Sequence, residues 1–409
     1  KNLCRCFGAP ARRVFPDHLI TFPAIPRENV RFFAPTGPPA CAWNKRPRYV
    51  MEAAAAAGPS TDELLTARFN QEHSCLAVGT RRGYQIFACE PFTSCHASTD
   101  GAGIAVLEML HSSSLVALVS AGERPGDSPR RLRLWNTRSN ASICDLNFST
   151  AVLAVRMNKA RLLAVLEAKL HIFELATMKL MHTLETTLNP RGLGELCADA
   201  ETCHCVVPAA QQGQVLYFDA LQLHSLNTVQ AHKGPLGCMC LSSAGHLLAT
   251  ASEKGTVIRI HSFPQGALLH TFRRGSLPAT ICSLSFSPGV LLGGKREQSG
   301  TWLCAASASG TVHVWRLDAQ RQSSTSSAVS SLMPIISGER DFASVKVKSC
   351  GGRCQAAIRD SRPDGQPEAV HHSLYVWTDR GVWYSYRLNA LKGGDCVLQD
   401  EQRLLPAAC

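Results

Sequence analysis

An all-β, seven-bladed WD40-like β-propeller is the fold class this chain predicts. The first observation is a recurring strand. A small or polar turn leads into a short alternating run that ends in an aromatic or β-branched residue. The instances are Gly83-Tyr84-Gln85-Ile86-Phe87, Arg131-Leu132-Arg133-Leu134-Trp135, Lys169-Leu170-His171-Ile172-Phe173, Gly213-Gln214-Val215-Leu216-Tyr217-Phe218, Gly255-Thr256-Val257-Ile258-Arg259-Ile260, Gly310-Thr311-Val312-His313-Val314-Trp315 and Gly381-Val382-Trp383-Tyr384-Ser385-Tyr386. The second observation is spacing: their first residues lie 48, 38, 44, 42, 55 and 71 positions apart. A period of about 40–45 residues with four short strands per unit is that of a propeller blade. The third is composition. Hydrophobic residues make up 45% and charged residues 18%, ordinary for a folded chain.

Taken in order, residues 1–61 stand apart. The first fifty residues hold nine Lys or Arg against only Asp17 and Glu28, and eight of the 22 prolines, without apolar periodicity. Met51-Glu52 and the alanines after it read as a natural start. A disordered basic extension, sequence outside the true reading frame and an Arg-rich transit peptide all fit this segment. From residue 62 to 404 the propeller is expected, with 405–409 as a tail. Each marker strand follows a second apolar strand, as in Cys75-Leu76-Ala77-Val78 and Leu247-Leu248-Ala249-Thr250. The Trp-Asp dipeptide is missing, so the repeat is divergent. The interval of 55 contains Gly289 to Gly300, which reads as a Gly-rich turn. The interval of 71 contains a long loop of the sixth blade, 319–342. It begins Ser-rich and then presents Leu332, Met333, Ile335 and Ile336 around Pro334. A second loop, Asp360 to Glu368, separates strands of the last blade.

The stretch from His246 to Gly275 carries the chemistry. Apolar Leu268, Leu269 and Phe272 lead into adjacent Arg273 and Arg274. In extended backbone, neighbouring side chains point to opposite sides, so one strand sends a guanidinium into each of two grooves. Arginine forks two parallel hydrogen bonds onto a phosphate, which the point charge of lysine does less well. Ser252 and Ser307, and Thr256 and Thr311, sit at equivalent places in adjacent repeats, each pair 55 apart. Hydroxyls before a Gly turn are also ordinary turn caps, and a blade histidine such as His232 is commonly structural.

Phe272-Arg273-Arg274-Gly275 reads as the FRRG signature of the PROPPIN family, the phosphoinositide-binding propellers that include the WIPI autophagy proteins. The run Ala249-Thr250-Ala251-Ser252-Glu253-Lys254-Gly255-Thr256-Val257-Ile258-Arg259 also resembles that family. So do Phe69-Asn70-Gln71, Gly79 to Tyr84, Glu108 to Ser120 and Asn189 to Leu193, so that most of 64–404 is covered. The resemblance implies two headgroup sites. One comprises His232, Thr250, Ser252, Lys254, Thr256, Arg259 and Arg273. The other comprises Arg274, Ser307, Thr311 and His313. It implies membrane insertion by Leu332, Met333, Ile335 and Ile336. It implies phosphatidylinositol 3-phosphate and phosphatidylinositol 3,5-bisphosphate (PI3P and PI(3,5)P2) as ligands. Autophagy lipid-transfer or conjugation machinery is the implied partner. The implied location is cytoplasmic, and peripheral on phagophore assembly sites, endosomal or vacuolar membranes. Gly393-Gly394-Asp395-Cys396 resembles the family's closing strand region.

Other classes have less behind them. There is no G-x-S-x-G, H-E-x-x-H or P-loop, so no enzyme is expected. Eighteen cysteines lie scattered among strand positions and read as reduced, mostly buried thiols. The pairs Cys4/Cys6, Cys203/Cys205 and Cys238/Cys240 have poor zinc spacing, so neither metal nor other cofactor is expected. The net charge of +11 is concentrated in the first fifty residues, without interleaved aromatics for nucleic acid. No run of about 18 apolar residues spans a bilayer. A monomer in solution is expected. The alternative is a WD-repeat scaffold that binds proteins without binding lipid. On the lipid reading, His232 and His313 lie beside phosphate oxygens, and their protonation strengthens binding as pH falls from about 8 to about 6.

Overall fold

All seven marker strands become the third strand of a four-stranded antiparallel blade. The computed structural model describes residues 64–99, 101–292, 295–297, 301–317, 339–361 and 370–404, and among them there is no helix. Blade 1 is Leu64–Phe69, Cys75–Thr80, Gly83–Cys89 and Phe92–Ser98. Blade 4 contains Glu195–Leu196, His204–Pro208, Gln214–Asp219 and His224–Gln230. Blade 5 contains Leu236–Leu241, Leu247–Ser252, Val257–Ser262 and Leu268–Arg273. Blade 6 contains Ile281–Phe286, Trp302–Ser307, Thr311–Arg316 and Ala343–Lys346. Blade 7 ends the ring with Cys354–Ser361, His371–Thr378, Val382–Arg387 and Val397–Arg403.

Burial follows position in the blade. Second strands such as Cys75–Thr80 and Trp302–Ser307 are buried at every residue, because a neighbouring blade covers each face. Third strands alternate, and fourth strands are largely exposed at the rim, as in His224–Gln230. The apolar residues fall into seven clusters, one for each junction between adjacent blades. Ala249, Ala251, Ile258 and Phe272 of blade 5, for example, pack on Leu303, Ala305 and Trp315 of blade 6. The inner strands surround a central cavity of about 630 Å³.

Two sequence readings change in the fold. Gly289 to Gly300 is not simply a turn: Val290–Leu292 and Lys295–Glu297 pair as a short antiparallel hairpin. Gly394–Asp395 does not belong to blade 7. It pairs in parallel with Ala343–Lys346 on the outer edge of blade 6, before the chain returns to Val397–Arg403. The interval of 71 does hold the connection between the third and fourth strands of blade 6. Leu332, Met333, Ile335 and Ile336 lie outside the described residues, as do 1–63 and most of the second loop.

Candidate anion-binding site

The candidate residues gather on three surfaces around the outer strand of blade 5. Register across the sheet pairs Thr250 with Arg259, Arg259 with Thr271, and Val257 with Arg273. Strand alternation therefore puts Ser252, Thr250, Arg259, Thr271 and Arg273 on one face, turned to blade 4. Phe272 occupies the opposite face and stacks on Trp315 of blade 6, ring centroids 5.2 Å apart.

On the blade 4 side the set is layered by depth. His232 is 5% exposed, and its Nε2 lies 3.1 Å from Thr250 Oγ1. Thr250 is wholly buried, with its hydroxyl 3.4 Å from Arg259 O. Arg259 donates through Nη1 to Ala231 O, and its buried Nε has no partner among the described residues. Above this layer Ser252 and Thr256 are half-buried and Lys254 and Arg273 are exposed. The side chains of those four form no hydrogen bond or ion pair within the described residues. The nearby acid Glu253 is paired with Arg191 at 3.2 Å.

Arg274 is placed differently. Its Nε donates to Gly255 O at 2.9 Å, its Nη2 donates to Leu277 O, and its backbone N–H bonds Thr256 O at 3.0 Å. Partial burial lowers its pKa from the ordinary arginine value. Gly255 is required here: its φ is +62°, and a Cβ would stand 1.9 Å from Ala279 O. The two guanidiniums thus diverge, Arg273 unpaired and Arg274 bound to the connection toward blade 6.

On blade 6, Ser307 ends the second strand and Thr311 begins the third; one blade earlier Ser252 ends the second strand and Thr256 directly precedes the third. Ser307 is fully buried. Its hydroxyl lies 2.8 Å from Thr311 Oγ1, 2.7 Å from Ser309 Oγ and 3.1 Å from Thr311 O. The same cap recurs from Thr80 to Gly83 O and from Thr378 to Val382 O, where no anion site is expected. Ser307 is therefore a turn cap first. Its neighbours Ser309 and Thr311 carry the accessible hydroxyls. His313 stacks on Trp315 and pairs through Nδ1 with Asp341 Oδ2 at 2.9 Å.

His232 does not match the expectation of an imidazole open to charge near neutral pH. Burial pushes its pKa down to about 4, with Arg259 and His261 adding to the shift against the bond from Thr250. His232 is a neutral strut between blades 4 and 5. Sequence reasoning missed Ser309 and Asp341. Ser309 was legible, since it lies between two residues already singled out. Asp341 was not, because it lies 28 residues beyond His313. None of the candidate side chains lines the central cavity, whose lining includes Thr280 and Ala308.

Comparison with known proteins gives the same answer at the scale of the fold. A family model described as PROPPIN matches residues 64–405. Autophagy-related protein 18 of Yarrowia lipolytica is 35% identical over 84% of this chain and 97% of its own length. The protein of the same name from Dictyostelium discoideum is 36% identical over 85% and 95%. Among solved structures, Kluyveromyces lactis Hsv2 matches with a TM-score of 0.64 at 20% identity, covering 85% of this chain and all of Hsv2. KlAtg21, solved in complex with the coiled coil of AgAtg16, matches with a TM-score of 0.64 at 25% identity, covering 84% of this chain and all of KlAtg21.

Proposed function

The chain belongs to the PROPPIN family, and from that premise we propose that it is a phosphoinositide effector. It binds PI3P and PI(3,5)P2 through two rim sites flanking Arg273 and Arg274, and acts as a membrane-recruited scaffold in autophagosome formation. The observation that carries this reading is the divergence of the two guanidiniums. Arg273 is exposed and unpaired within the described residues, with Lys254 and the hydroxyls of Ser252 and Thr256 on the same rim. A phosphomonoester takes such a set well: a forked donor, an ammonium and neutral hydroxyls share its charge. Arg274, Ser309, Thr311 and His313 form the second site, with Arg274 keeping the donors not spent on Gly255 and Leu277. The choice of the two lipids rests on family resemblance.

Headgroup contacts alone anchor weakly, and stable membrane residence takes two signals. Leu332, Met333, Ile335 and Ile336 supply the second by insertion, each contributing about 1.5–3 kcal/mol if fully buried. Among the described residues no helix is long and apolar enough to cross a membrane, so attachment is peripheral in this reading. The partner class is the autophagy conjugation or lipid-transfer machinery. The reading involves no catalytic step.

The test is a vesicle-binding panel in which phosphatidylcholine carries each phosphoinositide isomer in turn. Wild type is expected to sediment with PI3P and PI(3,5)P2 vesicles, and R273T/R274T to lose that binding at least tenfold (about 1.4 kcal/mol) with its circular dichroism unchanged. Changing the four loop residues to Asp is expected to weaken vesicle binding while calorimetry with soluble headgroup stays unchanged. Failure of wild type to bind any isomer leaves the protein-only scaffold as the function. Equal binding by the folded double-arginine variant removes the site assignment.

A further inference from the structure

We propose that Cys282 and Cys354 are a peroxide-sensitive dithiol that closes to a reversible disulfide between the inner strands of blades 6 and 7. Cys282 sits where the pairing of Ile281–Phe286 with Trp302–Ser307 slips between Ile281 and Ser283. That bulge leaves it without a ladder partner. Its Sγ lies 3.5 Å from Gly352 O, on the turn that leads into blade 7. Cys354 opens the inner strand of that blade. Its thiol donates to Ser307 O at 3.3 Å, and Ser307 pairs across the sheet with Ile281, the residue before Cys282.

Three features fit this pair to oxidation. Both cysteines line the central cavity, so a small oxidant reaches them although Cys354 is buried. Interaction with the neighbouring Cys354 thiol lowers the Cys282 pKa against its burial, and the thiolate is the form that attacks an oxidant. Other thiols of the inner strands lack that help: burial pushes Cys238 and Cys240 up to about 12. Cys350 lies close by, against the Gly310 turn, and is the competing thiol.

The reaction balances with one hydrogen peroxide. The Cys282 thiolate attacks a peroxide oxygen, breaking the O–O bond and releasing hydroxide, which takes a proton from solvent. The product is a sulfenic acid. The Cys354 sulfur then attacks the Cys282 sulfur, forming the S–S bond, and the hydroxyl leaves as water with the Cys354 proton. Two thiols are oxidised by two electrons and one peroxide becomes two waters. The bond ties blade 6 to blade 7 and withdraws the Cys354 thiol from the carbonyl of Ser307.

The test uses the full chain, exposed to hydrogen peroxide, alkylated with N-ethylmaleimide and mapped as non-reduced peptides by mass spectrometry. A linked peptide pair joining Cys282 to Cys354 is expected. It should disappear with dithiothreitol, be absent from C282S and C354S, and persist in C350S. In the untreated protein at pH 7, iodoacetamide is expected to label Cys282 of wild type about tenfold faster than Cys282 of C354S. The proposal is overturned if Cys282 goes to sulfinic acid without a cross-link, if the link runs instead to Cys350, or if C354S labels as fast as wild type.

Discussion

At the scale of single residues, Arg273 and Arg274 differ in their work although they are adjacent. Arg274 holds two carbonyls of the turns around it, Gly255 O and Leu277 O, whereas Arg273 holds none. Arg274→Ala is therefore expected to cost about 1–3 kcal/mol of stability, and Arg273→Ala less than about 0.5 kcal/mol. Urea denaturation of the two single variants measures the split, and equal losses would count against it. His232 and His261 make a second prediction. Burial pushes both down to about 4, and Arg259 adds to each shift. Above about pH 6.5 both are neutral whether the chain is folded or not, so they leave stability unchanged. As pH falls from 6.5 toward 4, the unfolded chain takes protons that the folded one refuses, and stability drops by up to about 3 kcal/mol per histidine. The melting temperature of H232Q/H261Q should thus fall less than that of wild type between pH 7 and pH 4.5. Vesicle binding between pH 8 and pH 6 should have the same slope in H232Q as in wild type. What was legible of the site was its charge and its repeat: the arginine pair and the Ser/Thr set recurring at 55 residues. Its depth was not. That Thr250 and His232 bond each other below the surface, and that Ser307 closes a turn, depends on which blade covers them, and no local pattern records that.

At the scale of elements, each marker strand was legible because alternation with a period of two survives wherever one sheet face differs from the other. The short pairings were not. Glu339 bridges Phe272 in parallel, accepting from Arg273 N–H at 3.1 Å and donating to Thr271 O at 3.0 Å. Gly394–Asp395 does the same to the edge of blade 6. Neither segment shows a strand's composition, since two residues of backbone are all the edge requires. Their effect is to cover the outer edges of two adjacent blades, which otherwise present unpaired N–H and C=O groups. Each stitch also runs backward, from blade 6 onto blade 5 and from blade 7 onto blade 6. The first of them ends beside the arginine pair, so the entry to the fourth strand of blade 6 helps hold Arg273 in extended backbone. Proline at 339 removes the N–H that bonds Thr271 O. Glu339→Pro is expected to speed amide hydrogen exchange at residues 271–273 by at least about fivefold, equivalent to about 1 kcal/mol. Glu339→Ala, which keeps the backbone bond, should leave exchange near the wild-type rate.

At the scale of the whole molecule, the ring closes without exchanging a strand among the described residues. Blade 1 begins on its innermost strand, Leu64–Phe69, and blade 7 ends on its outermost, Val397–Arg403. Side chains must therefore hold the first blade to the last. Phe92 stacks on Trp383 at 4.1 Å, and Leu64, Phe69 and Leu76 join Tyr375, Trp377 and Leu404 in one cluster. Two polar bonds fix the register, His73 Nδ1 with Ile358 O at 2.7 Å and Tyr375 OH to Glu90 Oε2 at 3.1 Å. Elsewhere the inner ring has additional ties. Arg156 forks onto Glu195 at 2.7 and 2.8 Å, and Arg68 reaches Glu108 at 2.7 Å and Glu195 at 3.5 Å, linking the first four blades. The 7–1 junction has no such buried charge pair among the described residues and, unlike the other junctions, no chain connection running from one blade to the next, so it is the place where the ring should open first. Trp383→Ala removes a fully buried indole from that junction and should cost about 3–5 kcal/mol. Hydrogen exchange on this variant should rise first in Gly83–Cys89 and Val382–Arg387, while Val257–Ser262 on the far side stays protected until global unfolding. Uniform loss of protection around all seven blades would instead mean that the propeller unfolds as one unit and that its closure is no weaker than its other junctions.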